Sequence, residues 1–256
     1  MRRSPRGPTA RKERTLLARF FIAASNIFGG VAALSAADAE HLRVLRIRRG
    51  ETFTVCDGAG TDYTCRLGED GSVEITGSSP SVGEPSVKVR VFAAYSKGDR
   101  MDFTVQKCVE LGAHEIILFP SSRCIARPDD AGAPKKLARW QRISEEAAKQ
   151  SGRGIIPAVS ALPTFESAVG AAKSAGLPLF LYEDERETTL KSALASAEDL
   201  ACVSVMTGPE GGFEPSEAAY AKRSGMLSVT LGPRILRCET APMCAVAAVM
   251  LFSGNM

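Results

Sequence analysis

Residues 201–225, ACVSVMTGPEGGFEPSEAAYAKRSG, decide the fold: an apolar run ending at Met206, a glycine-rich loop, and a helical period that begins near Pro215. Short apolar runs bounded by such loops read as strands buried on both faces, which belong in a parallel sheet. The next stretch, LSVTLGPRILRCETAPM at 227–243, repeats the order of strand, glycine-bearing loop and helix. Working back toward the N-terminus, the alternation holds from Val87. VKVRVFAAY, a helix over 99–111, EIILF, a helix over 134–150, IIPAVS, a helix over 164–175, LPLFLY and a short helix near 189–196 follow one another. This pattern predicts an α/β domain whose sheet is covered on both faces, closing with a helix over 241–252. Ligands of such sheets collect at the carboxyl ends of the strands, so the loops after Met206 and Leu231 are the first candidates for a site.

Upstream the pattern changes. An opening strand in FFIA, a helical DAEHLRVLR capped by Asp38, and the runs TFTVC, TDYTCRL and SVEIT between DGAG and GEDG turns predict a small antiparallel β unit. GSSPSVGEPS at 77–86 reads as the linker. The chain therefore divides into a basic, disordered extension at 1–18, a small domain at 19–83 and the α/β domain at 84–256.

Composition bounds the function. With 45% apolar, 24% charged and 6% aromatic residues in 256, the chain has a globular core built on Ala, Val and Leu, which excludes general disorder and collagen-like classes. The formal charge is +3, but Met1 to Arg19 alone carries +6, which leaves the body about −3. Any nucleic-acid surface must then be a local patch. Seven cysteines, without a CxxC or a neighbouring His, point to a reducing, cytoplasmic compartment and to no metal site. The Arg-rich start followed by SAADA imitates a secretory signal, but Asn26, Gly29 and Gly30 interrupt the apolar segment. The stretch 240–256 reads as a buried core helix, and no membrane association is expected.

Among candidate residues, TGPEGGFEPSE at 207–217 has three glycines in five residues, which lets backbone approach a ligand closely; a tight strand-to-helix turn is the alternative. It matches neither a Walker loop nor a dinucleotide fingerprint. LGPRILRCETAPM at 231–243 sets Arg234, Arg237, Glu239 and Thr240 beside Gly232, with Ile235 and Leu236 as an apolar wall, so the two loops could share one pocket. KGDRMDFTVQKCVELG at 97–112 is an amphipathic helix that turns Phe103, Val109 and Leu111 to the sheet and leaves Lys97 and Arg100 on a polar edge. Trp140 reads as a core anchor. His41, Arg43, Arg46, Arg48 and Arg49 form a candidate phosphate patch in the small domain, with a solvated helix end as the alternative. Two histidines do not support a His-based triad, and Cys238 lacks a base to activate it as a nucleophile.

The ordered set HLRVLR, KGDRMDFTVQKCVELG, SSRC, KQSGR, GPEGGF and LGPRILRCETA resembles the 16S rRNA N3-methyluridine methyltransferases (RsmE-type) of the SPOUT superfamily, from about Arg19 to the last helix. The resemblance implies a PUA-like β-barrel for RNA, a SPOUT-type parallel sheet with a C-terminal trefoil knot, and a homodimer with methyl-donor sites at the subunit interface. It also implies transfer of a methyl group from S-adenosylmethionine to N3 of uridine 1498 in the decoding region of small-subunit rRNA. Carried over by motif, Gly208, Gly212, Leu231, Gly232, Ile235, Leu236, Thr240 and Ala241 would surround the cofactor, and Arg237, Glu210 and Arg153 would lie near the base. Lys97 and Arg100 join the small-domain cluster as RNA-facing residues. Lys149, Cys238, Pro242 and residues 1–18 depart from the family pattern. A Rossmann-type methyltransferase would need its glycine loop after the first strand of the domain, whereas both glycine loops here come late. A non-catalytic RNA-binding module, or a SPOUT enzyme acting on another base, remain the alternatives.

Overall fold

The computed structural model describes residues 19–127, 132–174 and 176–256; the extension at 1–18 lies outside them. Among the described residues the chain divides into two compact units, one from 19–84 with 148–156 and one from 85–147 with 157–256. A linear reading of domains does not assign 148–156 to the first unit.

In the first unit, β1 (Arg19–Phe21), β2 (Ile27–Phe28), β3 (Val31–Ala32), β4 (Thr52–Cys56), β5 (Thr61–Leu67) and β6 (Val73–Pro80) form one sheet in the order β1-β4-β5-β6-β3-β2. It curls into a PUA-like half-barrel. The expectation of a wholly antiparallel unit is corrected at one edge, where β1 runs parallel to β4. β6 continues to Pro80, so the strand takes up the first part of the expected linker at 77–86. Helix α1 (Ala36–Val44) is capped by Ser35, whose side chain accepts from the Asp38 N–H at 3.1 Å, rather than by Asp38 itself. Both residues have cap chemistry; Ser35 wins because Asp38 then lies in the first turn, where its negative charge favours the helix N-terminus. Phe20, Phe53, Val55, Cys65 and Val73 fill the interior.

Arg153, expected near the reacting base, lies buried in this unit. It is 3% exposed, and its Nη2 donates to Glu84 Oε2 at 2.7 Å. Glu84 Oε1 also accepts from the Gly154 and Ile155 N–H groups at 2.9 and 3.0 Å, which ties the 148–156 segment to the unit.

The second unit contains β7 (Lys88–Ala94), β8 (Glu115–Phe119), β9 (Ala158–Ala161), β10 (Leu177–Leu181), β11 (Cys202–Thr207) and β12 (Leu227–Val229). They form an all-parallel sheet in the order β12-β10-β11-β7-β8-β9. The helices are α2 (Arg100–Glu110), α3 (Ala133–Ser151, whose residues from Ala148 on belong to the first unit), α4 (Phe165–Lys173), α5 (Leu190–Ala195), α6 (Pro215–Arg223) and α7 (Thr240–Phe252). Strand side chains alternate between two dry faces. Phe92, Ile117, Phe119, Phe180 and Met206 pack with α4 and α6 residues in one cluster. Val91, Ile116, Leu118 and Val205, at the alternate positions, are fully buried as well, and α7 packs on β7 and β11.

Two expectations about helix faces change. In α2 the buried stripe is Met101, Val105, Cys108 and Val109, while Phe103 is 43% exposed, because the period from Met101 turns Phe103 away from the sheet. In α7, Pro242, Ala245, Val246, Val249 and Met250 are buried, but Cys244, Leu251 and Phe252 are exposed, so an all-apolar helix buries only one of its faces. Trp140 is an anchor as read, 7% exposed with its Nε1 donating to Asp102 at 2.9 Å. Among the described residues, no helix is long and apolar enough to cross a membrane.

The Glu84 and Arg153 pair gives a direct prediction. Removing one member of a buried, hydrogen-bonded ion pair leaves the other charge uncompensated, at a cost of about 3 kcal/mol. Glu84→Ala and Arg153→Ala should each lower the urea midpoint of the chain substantially, and the double variant should lose less than the two single losses combined. Strictly additive losses would show that the pair does not act as a unit.

Candidate active site

The carboxyl ends of β10, β11 and β12, three neighbours in the sheet, open into one cavity of about 550 Å³. That volume suits a nucleoside-sized ligand. Its walls are residues 181–183, 207–212, 229–232, 234–239 and Ala241 at and after the strand ends, together with Arg100 from α2. The two loops singled out in the sequence therefore converge, and a third, from β10, completes the cavity.

The loop after β11 is held at both ends. Thr207 ends the strand, and Phe213 is buried with its ring 4.4 Å from that of Phe180. Burying a Phe contributes about 2–3 kcal/mol, enough to fix the intervening turn. Within it the Gly212 N–H donates to Pro209 O at 3.0 Å, and Gly212 has φ +68°; a Cβ at this position would lie 1.8 Å from Glu183 Oε1. Glycine is thus required here both by backbone conformation and by the approach of the β10 loop. From outside, Arg123 of the SSRC motif donates to Gly211 O at 2.9 Å and to Glu214 Oε1 at 2.8 Å.

The loop after β12 turns through Thr230, whose Oγ1 accepts from the Gly232 N–H at 3.2 Å. Gly232 has φ +111° and nothing within 4 Å of its Cβ position, so its backbone borders open space. The Arg237 carbonyl accepts from the Thr240 and Ala241 N–H groups at 2.9 and 3.0 Å, which fixes its backbone at the start of α7 while its side chain remains exposed.

Charge in the cavity is divided. Glu210 Oε1 accepts from the Lys97 N–H and from Arg100 Nη1, each at 2.7 Å, and Arg100 Nε lies 3.8 Å from Glu239 Oε2. Partial burial disfavours the charged form of Glu210, but these donors outweigh it and hold its carboxyl below the ordinary range. Burial first, then the neighbouring Glu239, pushes the Cys238 thiol up to about 12, which removes it as a nucleophile. Glu185 braces the β10 loop. The Lys222 ammonium at 3.0 Å, with the Glu187 and Thr188 N–H groups, lowers its carboxyl to about 2 against the opposing effect of burial. Among the described residues, Arg234 and Arg237 line the cavity without an ion-pair partner.

Of the sequence-predicted cofactor residues, Gly208, Gly212, Leu231, Gly232, Ile235, Leu236 and Ala241 line the cavity, and Thr240 does not. Arg237 and Glu210 line it; Arg153 is not among its residues. Arg100, expected on an RNA-facing edge, sits in the cavity wall between two carboxylates, and Lys97 contributes its backbone N–H there. Leu181, Tyr182 and Glu183 were not anticipated; the only signal for them is the acidic run directly after LPLFLY, at the end of a strand.

Comparison with known proteins agrees with this architecture. A model of the RNA methyltransferase domain matches residues 83–250, and a model of the RNA methyltransferase PUA domain matches 34–76. The ribosomal RNA small subunit methyltransferase E of Synechocystis is 33% identical, over 90% of this chain and 76% of its own. That of Mycobacterium tuberculosis is 32% identical, over 89% of this chain and 88% of its own. A crystal structure of ribosomal RNA small subunit methyltransferase E from Neisseria gonorrhoeae bound to S-adenosyl methionine is 36% identical, with a TM-score of 0.78, covering 91% of this chain and 96% of that one. A late pair of glycine loops on an all-parallel sheet, in a chain that also carries a small PUA-like unit, thus coincides with close likeness over nearly the whole length: the chain belongs to the ribosomal RNA small subunit methyltransferase E family.

Proposed function

We propose that the chain methylates N3 of uridine 1498 in 16S rRNA, with S-adenosylmethionine as methyl donor. The observation that carries this reading is the cavity at the ends of β10, β11 and β12, where two positive-φ glycines border the space and Arg237, without an ion-pair partner among the described residues, lines it. The residues fit the donor. Gly208, Gly212 and Gly232 allow close backbone approach, Ile235 and Leu236 offer apolar surface, and Glu183 offers a carboxylate to an amine or to ribose hydroxyls. Bound there, S-adenosylmethionine supplies an electrophilic methyl group. The N3 imide must lose its proton, and negative charge then spreads over the ring carbonyl oxygens. Arg237 stabilises that charge electrostatically. Glu210 is a weak proton acceptor, since its carboxyl is held in the charged form by Lys97 and Arg100; its work is to fix Arg100. The general base is unassigned.

The same reading includes a trefoil knot in the C-terminal domain, a cytoplasmic location and a homodimer. In support of the dimer, Cys244 and Leu251 on α7 and Ile235 beside the cavity are exposed apolar residues, with Ile235 at 74% exposure. Such a surface suits a second copy of the chain.

Primer extension through the decoding region should show a stop at uridine 1498 that requires the protein and S-adenosylmethionine; a modification at another base would move the substrate assignment. Arg237→Ala should reduce the single-turnover rate on the order of 10²-fold while changing cofactor affinity by less than about threefold. A normal rate would remove Arg237 from the chemistry. At micromolar concentration the protein should sediment as a dimer, and a monomer that still binds S-adenosylmethionine would contradict the proposed assembly.

A further inference from the structure

The end of α1 contains an anomaly of backbone conformation. Arg46 has φ +56°, and every other positive-φ residue among those described is glycine. The helix closes with the Arg46 N–H on Arg43 O at 2.9 Å and the Ile47 N–H on Leu42 O at 3.2 Å, a left-handed stop in which the residue after the C-cap is ordinarily glycine. A side chain at this position is strained relative to glycine. The chain places Gly50 at φ +79° only four residues later.

Nothing within the small unit accounts for the arginine. Its side chain is exposed and has no ion-pair partner among the described residues. The cluster is otherwise divided: Arg43 pairs with Glu40 at 2.7 Å, and Arg49 approaches Glu69 at 3.7 Å. Arg48 uses its backbone N–H on Glu51, and its guanidinium has no ion-pair partner among the described residues. Immediately before Arg46, Val44 and Leu45 are 69% and 46% exposed, so two large apolar side chains and one free cation project from the same helix end. An apolar pair beside an uncommitted guanidinium complements the ribose faces and phosphates of a polynucleotide.

We propose that the left-handed end of α1 is a docking point for the rRNA substrate, with Arg46 as its phosphate contact and Val44 and Leu45 flanking it. The proposal rests on the functional reading above and names the part of the small unit that meets RNA. A strained residue kept where glycine would fit is explained by the partner it holds. Arg43 and Arg49, already paired, contribute less.

The test sets stability against binding. Arg46→Gly in the full chain should leave the thermal midpoint unchanged or raise it by about 1–3 °C, because strain is relieved. The same variant should bind small ribosomal subunits about five- to tenfold more weakly at 0.1 M salt, with the slope of log affinity against log salt reduced by roughly 0.7–0.9. Arg46→Lys should recover the slope, Arg43→Ala should leave it nearly unchanged, and S-adenosylmethionine affinity should be equal in all variants. Unaltered affinity and slope in Arg46→Gly would overturn the proposal, as would a parallel loss of stability and binding. If the unsubstituted chain bound subunits and methylated nothing, the enzymatic reading would fail while the Arg46 result stood. If it bound no RNA at all, both would fall.

Discussion

Phe213, packed against Phe180 in the sheet's aromatic cluster, is the contact on which the site depends. Two glycines precede it and the β11 strand lies behind them, so the turn between Thr207 and Phe213 is short, tightly tethered and largely free of side chains. Only with that anchor in place does Gly212 lie against Glu183, and only then do the β10 and β11 loops share a wall. The ring also limits Gly208, where a Cβ would lie 3.1 Å from it. Glycine content alone would give a loose loop, since glycine has the most conformational freedom to lose on ordering. The aromatic anchor turns that freedom into a defined backbone surface.

The polar groups around this surface are distributed with similar economy. Arg100 pairs with Glu210 and reaches toward Glu239, so two acidic side chains of the cavity share one guanidinium within the protein. Arg237 is left uncommitted among the described residues, with its backbone fixed by the first turn of α7. A guanidinium that is positioned but not paired is available to charge that develops during reaction. Arg153 shows the opposite arrangement, buried and spent on Glu84. Two arginines that the resemblance sets near the base thus differ in burial and partner.

The alternation of strands and helices from Val87 was legible because each strand carries apolar residues on both faces, as the six-stranded parallel sheet requires. Convergence of the two glycine loops was legible as well, since both follow strand ends. The β10 wall was not: its adjacency to β11 and β12 comes from strand order, and its residues, Leu181 to Glu183, have no glycine to mark them. Phe103 and the exposed side of α7 were misread because apolar content does not reveal which face of a helix meets the sheet. The fate of Arg153 depended on Glu84, a partner 69 positions away that no local pattern connects to it. The left-handed backbone at Arg46 was invisible for a different reason, since the sequence offers an arginine where that conformation calls for glycine.

On the proposed reading three strand-end loops, and not the small unit, hold the methyl donor. A crystal structure of this protein grown with S-adenosylmethionine tests it most directly. Difference density for the donor is expected between Gly208–Gly212 and Leu231–Ala241, with Glu183 and the backbone of the glycine loops in contact. Ordered donor density elsewhere on the chain, with this cavity holding only solvent, would contradict it.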